Sequence, residues 1–121
     1  MATILAVDDS PSIRQTIKVA LEPAGHTVIE AADGRAGLAQ AQSSRPDMVI
    51  TDLNMPVLNG LELIRALRGQ ACFSGLPIIF LTTESNDTMK SEAKDAGATG
   101  WITKPFRPEQ LATIVARLVR P

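Results

Sequence analysis

The feature of this sequence that most constrains its fold is a regular alternation of short apolar runs with stretches of helical periodicity. The five apolar runs are short enough to be strands, and they cover residues 3–7, 26–30, 48–51, 77–81 and 99–103. After each run, apolar residues recur at the spacing of an amphipathic helix. Five strand–helix units in this order predict an α/β fold: a single (βα)5 doubly wound parallel sheet with helices on both faces.

Capping residues indicate where the helices begin and end. The first helix should begin after Ser10, an N-cap residue with Pro11 in the first turn, and should end at Gly25. The fourth helix, predicted over residues 86–95, has few apolar positions. These are Met89, Ala93 and Ala96. We therefore expect the fourth helix to be the least firmly packed of the set.

Composition and charge exclude several classes of function. The net charge is −1 over 121 residues, without the basic balance that nucleic-acid binding usually needs. No apolar stretch approaches the ~20 residues of a membrane span, and the single cysteine, Cys72, cannot form an internal disulfide. These features predict a soluble cytoplasmic protein that binds neither nucleic acid nor membrane, with one domain over residues 1–121 and no output domain.

Five polar residues are expected at one edge of the sheet, because each lies at or just after the end of a strand. They are Asp8, Asp9, Asp52, Thr82 and Lys104. Ligands of parallel α/β sheets bind outside the carboxyl ends of the strands. Each residue alone has an ordinary interpretation, such as a solvated loop carboxylate or a surface lysine. Their convergence on one edge favours a binding site instead.

The residue types at this edge indicate phosphoryl chemistry assisted by a metal ion. Two carboxylates about 4 Å apart repel by roughly 4 kcal/mol at an effective dielectric near 20, and a bound cation would offset that repulsion. Carboxylate oxygens suit Mg²⁺ better than Zn²⁺. Lys104 can pair with a phosphoryl oxygen, and the Thr82 hydroxyl can donate a hydrogen bond to it. An aspartate in this setting can act as a nucleophile toward phosphorus.

Four motifs, in order along essentially the whole chain, match a known family. They are VDDS at 7–10, TDLNMPVLNG at 51–60, LTTES at 81–85 and GWITKPF at 100–106. On these motifs the chain resembles a response-regulator receiver domain, most closely the stand-alone chemotaxis type represented by CheY. The resemblance implies a flavodoxin/CheY-like fold with strand order 2-1-3-4-5. It also implies a signalling switch rather than an enzyme, with only weak self-phosphorylation from small phosphodonors and autodephosphorylation.

The resemblance assigns a metal-binding role to the acidic residues. Asp52 would be the phosphoacceptor. Mg²⁺, for which Mn²⁺ could substitute, would be held by Asp9, by Asp52 and by the backbone carbonyl of Asn54, with Asp8 acting through a water molecule. An aspartyl-phosphate at Asp52 is therefore the expected product.

The resemblance also assigns roles around the phosphoryl group. Thr82 would bind it and Lys104 would pair with it. The bond between Lys104 and Pro105 would be cis, a conformation essentially reserved for X–Pro bonds. Asn54 and Glu84 stand where the family controls access of the hydrolytic water, so they would tune the lifetime of the phosphorylated state.

Two positions depart from the family pattern. Trp101 stands where receivers usually carry Tyr or Phe, the ring that moves inward on activation, and indole is larger than either. Thr83 stands where the family often has Ala or Gly. Its β-branch should narrow the approach to the phosphoryl group, and we predict that it slows both phosphoryl transfer and hydrolysis.

The partners that the resemblance implies are a CheA-like histidine kinase and a downstream protein. The only histidine, His26, precedes the second strand, far from the acidic residues. The phosphoryl donor must therefore be another protein or a small phosphodonor. The target would bind the face formed by the fourth helix, the fifth strand and the fifth helix. A monomer is expected.

Two other classes of function stay open on the sequence. One is a Mg²⁺-dependent phosphohydrolase with an aspartyl-phosphate intermediate, as in the haloacid dehalogenase family. That family has an Asp-x-Asp motif after its first strand, whereas this chain has Asp8-Asp9-Ser10 and no segment for a cap domain. The other is an adaptor that keeps the receiver fold and works without phosphorylation. Such proteins usually lose a key residue, and this chain keeps all of them.

Overall fold

A computed structural model describes residues 2–53, 55, 58–83 and 87–119, apart from the side chain of Met89. Its strands are β1 (Thr3–Val7), β2 (Thr27–Ala31), β3 (Met48–Asp52), β4 (Ile78–Thr82) and β5 (Gly100–Thr103). Its helices are α1 (Pro11–Leu21), α2 (Gly34–Ser44), α3 (Gly60–Arg68), α4 (Asp87–Ala96) and α5 (Pro108–Leu118). The strands and helices alternate as the sequence pattern predicts.

The five strands form one parallel sheet in the order β2-β1-β3-β4-β5. β1 is an inner strand and pairs with both β2 and β3. The order reverses direction between β1 and β3, which opens a crevice at the carboxyl ends of these strands. Both the fold class and the strand order expected from the sequence are confirmed.

The core consists of two apolar layers, one on each face of the sheet. Leu5 and Val7 of β1 face the layer formed by α2, α3 and α4, and Ile4 and Ala6 face the layer formed by α1 and α5. This division follows from the alternation of side chains along a strand. Because both faces are covered, β3 and β4 are buried along their whole length. Within the described residues, no helix has the length and apolarity that crossing a bilayer requires.

The first helix is shorter than the sequence indicated. Ser10 caps it as predicted, since its side chain accepts a hydrogen bond from the backbone N–H of Ile13. The prediction that it runs to Gly25 is wrong, because α1 ends at Leu21 and a 3-10 turn follows. Pro23 explains the change, since proline has no N–H to continue the helical bonding. Gly25, with a φ of 94°, ends the 3-10 turn instead.

The second and fourth strands each begin and end one residue later than predicted, and the difference in the fourth strand affects the site. The second strand begins at Thr27 because the N–H of His26 bonds to the carbonyl of Leu21 in the preceding turn. The fourth strand runs one residue beyond the predicted range and includes Thr82, which pairs with Thr103 of β5. Thr82 is therefore held in the sheet rather than in the following loop.

Candidate functional site

The carboxyl ends of four strands bring the five predicted polar residues to one edge of the sheet. Asp8 and Asp9 directly follow β1, and Asp52 is the last residue of β3. Thr82 is the last residue of β4, and Lys104 directly follows β5. The site thus combines residues from distant parts of the chain through the parallel topology alone.

Asp8, Asp9 and Asp52 form an acidic cluster in which carboxylate oxygens, one from each residue, lie within 4.8 Å of one another. Asp8 is fully buried and Asp52 is 6% exposed, whereas Asp9 is exposed. Lys104 Nζ lies 3.2 Å from Asp8 Oδ2 and 3.3 Å from Asp52 Oδ1. A single ammonium group therefore bridges the two buried carboxylates.

Burial raises the pKa of the Asp8 carboxyl above its ordinary value. The charge of Asp52 also raises it, while the N–H of Ser10 and the ammonium of Lys104 stabilise the ionised form and act in the opposite direction. Because the net direction is upward, the fold disfavours the negative charge on Asp8. A cation bound at the acidic cluster would relieve this unfavourable interaction.

The turn between β1 and α1 is held by hydrogen bonds to Asp8. The N–H of Ser10 donates to Asp8 Oδ1 at 2.9 Å. Arg14 Nη1 donates to the backbone carbonyl of Asp8 at 2.6 Å, and its Nε donates to Glu30 Oε1 at 3.0 Å. Sequence analysis did not assign a structural role to Arg14 or Glu30. The only signal was an arginine four residues after VDDS, and its partner on β2 could not be read from the pattern.

Gly60 fixes the backbone immediately after Asp52. Its N–H donates to the carbonyl of Leu53 at 3.0 Å, and a Cβ at this position would overlap the carbonyl oxygen of Asp52. The helix that starts here is capped reciprocally by Asn59 and Glu62. This capping box sets the start of α3 against the end of β3. The local sequence thus determines where the Asp52 backbone lies.

Thr82 and Lys104 are joined through the sheet. The N–H of Lys104 donates to the carbonyl of Thr82 at 2.8 Å, and the Thr82 side chain is buried. Thr83, the next residue, is exposed at the edge of the site. The bond from Lys104 to Pro105 is cis, as the sequence predicted.

Trp101 lies on the outer face of β5 with 46% of its surface exposed. Its ring is tilted against Phe80, with centroids 6.2 Å apart, and Lys90 Nζ lies 4.7 Å from its centroid. Trp101 lines a cleft of about 220 Å³ together with residues of α4, and one of about 240 Å³ together with residues of α5. The indole is therefore a ridge between two depressions on the α4–β5–α5 face.

Two residues named in the sequence analysis lie outside the described part of the chain. These are Asn54, the expected carbonyl ligand, and Glu84, expected to influence the hydrolytic water.

The donor set of the acidic cluster fits a magnesium ion. Carboxylate oxygens from three residues converge within 4.8 Å, and no nitrogen or sulfur ligand of the kind that zinc prefers takes part in this group. Mg²⁺ commonly binds to one or two carboxylates and keeps several water molecules. The exposure of Asp9 leaves one side of the cluster open to such waters.

Comparison with known proteins identifies the family. A family model described as "Response regulator receiver domain" matches residues 4–116. The protein PilH of Pseudomonas aeruginosa is 41% identical over 111 residues, covering 92% of each chain. The phosphate regulon transcriptional regulatory protein PhoB of the same organism is 40% identical, but this chain spans only 49% of its length.

Solved structures agree with this result over nearly the whole chain. The chemotaxis response regulator CheY4 of Vibrio cholerae superposes with a TM-score of 0.93 at 50% identity, covering 98% of this chain and 99% of that one. A response regulator protein from Burkholderia multivorans gives a TM-score of 0.84 at 49% identity, covering 100% and 98%. The chain belongs to the family of response regulator receiver domains.

Proposed function

We propose that this receiver domain is a CheY-like response regulator of a chemotaxis-type two-component system, phosphorylated on Asp52 by a histidine kinase. The observation that carries the proposal is the pairing of Lys104 with Asp8 and Asp52 inside a cluster of three carboxylates. Receiver domains bind Mg²⁺ through such acidic residues. The similarity to the chemotaxis response regulator CheY4, at 50% identity, supports the chemotaxis assignment. The proposed phosphoryl donor is a CheA-like histidine kinase, and the proposed location of this protein is the cytoplasm.

In the proposed reaction, an oxygen of the Asp52 carboxylate attacks phosphorus while the bond from phosphorus to the donor breaks. Bound Mg²⁺ supplies charge neutralisation for the transferring group. Asp9 and Asp52 would hold the ion directly, with the carbonyl of Asn54, and Asp8 would act through water. Hydrolysis of the acyl phosphate by water then releases inorganic phosphate and restores the carboxylate.

Phosphorylation would change the partners of Lys104 and Thr82. Lys104 now lies 3.3 Å from Asp52 Oδ1, and a phosphoryl group adds a charge of about −1.5 to −2 at that residue. The ammonium and the Thr82 hydroxyl would then turn to the phosphoryl oxygens. Because Thr82 is joined to β5 by backbone bonds, the change can reach Trp101 on the neighbouring strand. Such a rearrangement shifts an existing conformational equilibrium.

The α4–β5–α5 face is the proposed binding surface for the downstream protein. The packing of α4 is limited to small side chains, since Ala93 and Ala96 are its buried apolar residues in the described part of the chain. Few buried contacts favour movement of a segment at low energetic cost. Trp101 and its two flanking clefts supply a recognition surface beside this helix. We propose that the unphosphorylated protein is a monomer.

The test of this function is phosphorylation by a small donor. On adding Mg²⁺ and acetyl phosphate, the intact mass should rise by one phosphoryl group, and EDTA should prevent the gain. Asp52→Asn should abolish it, since the amide is not a nucleophile toward phosphorus. Trp101, the only tryptophan, should change its emission on phosphorylation if it reports the switch.

Three other outcomes of these experiments would contradict the proposed function. A mass gain that persists in Asp52→Asn would show that another residue accepts the phosphoryl group. Mg²⁺ binding without any phosphorylation would favour the adaptor. Sustained turnover of a chromogenic phosphate ester would favour a phosphohydrolase instead.

Replacing Thr83 by alanine should accelerate both phosphorylation by acetyl phosphate and loss of the phosphoryl group. We expect an increase of about three- to tenfold in each rate, equivalent to about 0.6–1.4 kcal/mol of barrier. The reason is that Thr83 is exposed beside Thr82 and its β-branch narrows the approach. Thr113→Ala, an exposed threonine on α5, is the control. Unchanged rates in Thr83→Ala would show that the β-branch does not obstruct the site.

A further inference from the structure

Asp9 differs from the other members of the acidic cluster in how it is held. Asp8 is fixed by the N–H of Ser10 and by Lys104, and Asp52 is paired with Lys104. Asp9 is exposed, and its carboxylate has no hydrogen bond or ion pair with any residue in the described ranges. The location of this carboxylate therefore depends on the backbone that precedes it.

That backbone is held by Arg14. Nη1 of Arg14 lies 2.6 Å from the carbonyl oxygen of Asp8, which belongs to the peptide bond between Asp8 and Asp9. Because a peptide unit is planar, fixing this carbonyl also fixes the nitrogen and Cα of Asp9. The guanidinium is oriented in turn by Glu30, whose Oε1 accepts from Nε at 3.0 Å. Arg14 thus links β2 to the peptide unit that leads into Asp9.

We propose that Arg14 is a positioning residue for the magnesium site, and that its contact with the Asp8 carbonyl sets where Asp9 presents its carboxylate to the ion. This inference rests on the proposed function, because it assumes that Mg²⁺ binds at the acidic cluster. Glu30 supports the same role by fixing the guanidinium plane. The planar fork is essential, since one side chain must reach both the carbonyl and Glu30.

If Arg14 acted only through its charge, its removal would have the opposite effect on Mg²⁺ affinity, so the experiment can distinguish the two roles. Arg14 carries a positive charge close to the cation site, so removing it should strengthen Mg²⁺ binding if charge were its only effect. If Arg14 positions Asp9, removing it should weaken binding despite the loss of repulsion. The sign of the change therefore separates the two effects.

The experiment is calorimetric titration of the unphosphorylated chain with MgCl₂, in wild type, Arg14→Met and Arg14→Lys. We expect the Mg²⁺ Kd to rise about tenfold in Arg14→Met, the range seen when groups that orient metal ligands are removed. Arg14→Lys keeps the charge but reaches only one acceptor, so its Kd should rise by about threefold. Lys18→Met is the matched control. Lys18 lies on the same helix and contacts Glu30 at 3.5 Å, but makes no contact with the Asp8 carbonyl.

Thermal unfolding in EDTA shows whether each variant is folded before titration. A Kd in Arg14→Met that is unchanged or lower than in wild type would overturn the proposal, as would an equal rise in Lys18→Met. Should Arg14→Met not fold, Arg14→Lys decides, and an unchanged Kd there is equally negative. Absence of Mg²⁺ binding in wild type would instead contradict the proposed function itself.

Discussion

Replacing Arg68 by alanine is expected to lower the free energy of unfolding by about 3–5 kcal/mol. Each hydrogen bond to a charged group contributes about 1.5–3 kcal/mol. The unfavourable burial of the charge offsets part of that sum. From the end of α3, the guanidinium donates to the carbonyls of Phe73 at 2.7 Å, Leu76 at 2.7 Å and Gly97 at 2.9 Å. Burial lowers the pKa of Arg68, which reflects that desolvation. The substitution would leave these three carbonyls, and that of Ser74 at 3.5 Å from Nη1, without this donor and detach the end of α4 from α3.

The measurement is urea unfolding followed by circular dichroism. Arg65→Ala is the matched control, because Arg65 lies on the same helix, is exposed and makes no hydrogen bond or ion pair through its side chain with a described residue. Exposed substitutions of this kind usually change stability by less than about 0.5 kcal/mol. Equal losses in the two variants would mean that only helix composition matters. A loss below about 1 kcal/mol in Arg68→Ala would show that water replaces the guanidinium at these carbonyls.

The role of Arg68 could not be predicted from the sequence, and the reason is general. Its acceptors are backbone carbonyls up to 29 residues away, and any residue type supplies such a carbonyl. The strands and the cap at Ser10 could be predicted because they depend on neighbouring residues. The predicted end of α1 was wrong because the prediction relied on Gly25 and did not consider Pro23, which ends the helix earlier.

The candidate site was predictable only as far as topology determines it. A parallel sheet brings strand ends to one edge, and this was sufficient to associate Asp8 and Asp52 with Lys104. The difference between Asp8 and its neighbour Asp9 was not predictable. Asp8 is buried like the residues of β1 before it, whereas Asp9 is exposed where the strand has ended. The turn after β1 therefore determines which carboxylate pairs with Lys104. This turn is held in part by Arg14, which lies outside the VDDS motif.

Replacing Asp8 by asparagine is expected to stabilise the protein in the absence of Mg²⁺, by about 1–2 kcal/mol at neutral pH, because it removes a charge from a crowded, buried cluster. The raised pKa of Asp8, caused mainly by burial, shows that the fold disfavours the ionised carboxylate even with Lys104 at 3.2 Å. Asparagine keeps an oxygen to accept from Ser10, and Lys104 keeps Asp52 as a partner. The gain should reverse in millimolar Mg²⁺, where only wild type has the full set of carboxylates for the ion.

The pH dependence of this gain provides the sharper check. The pKa of Asp8 is higher in the folded than in the unfolded protein, so folding favours the protonated form. The stabilising contribution of protonation is therefore lost as the pH rises through the folded-state pKa. Asparagine cannot lose a proton, so the two proteins should differ little near the ordinary value of 3.8 and diverge at higher pH. Urea unfolding of both in EDTA, at about pH 4 and at neutral pH, measures this divergence, with Asp95→Asn as the matched control for loss of an exposed carboxylate. A variant less stable than wild type at neutral pH would mean that the pairing of Lys104 with Asp8 outweighs the cost of burying the charge. The expected result would instead show that the protein retains Asp8 for its chemistry at the expense of stability, as strained functional sites commonly do.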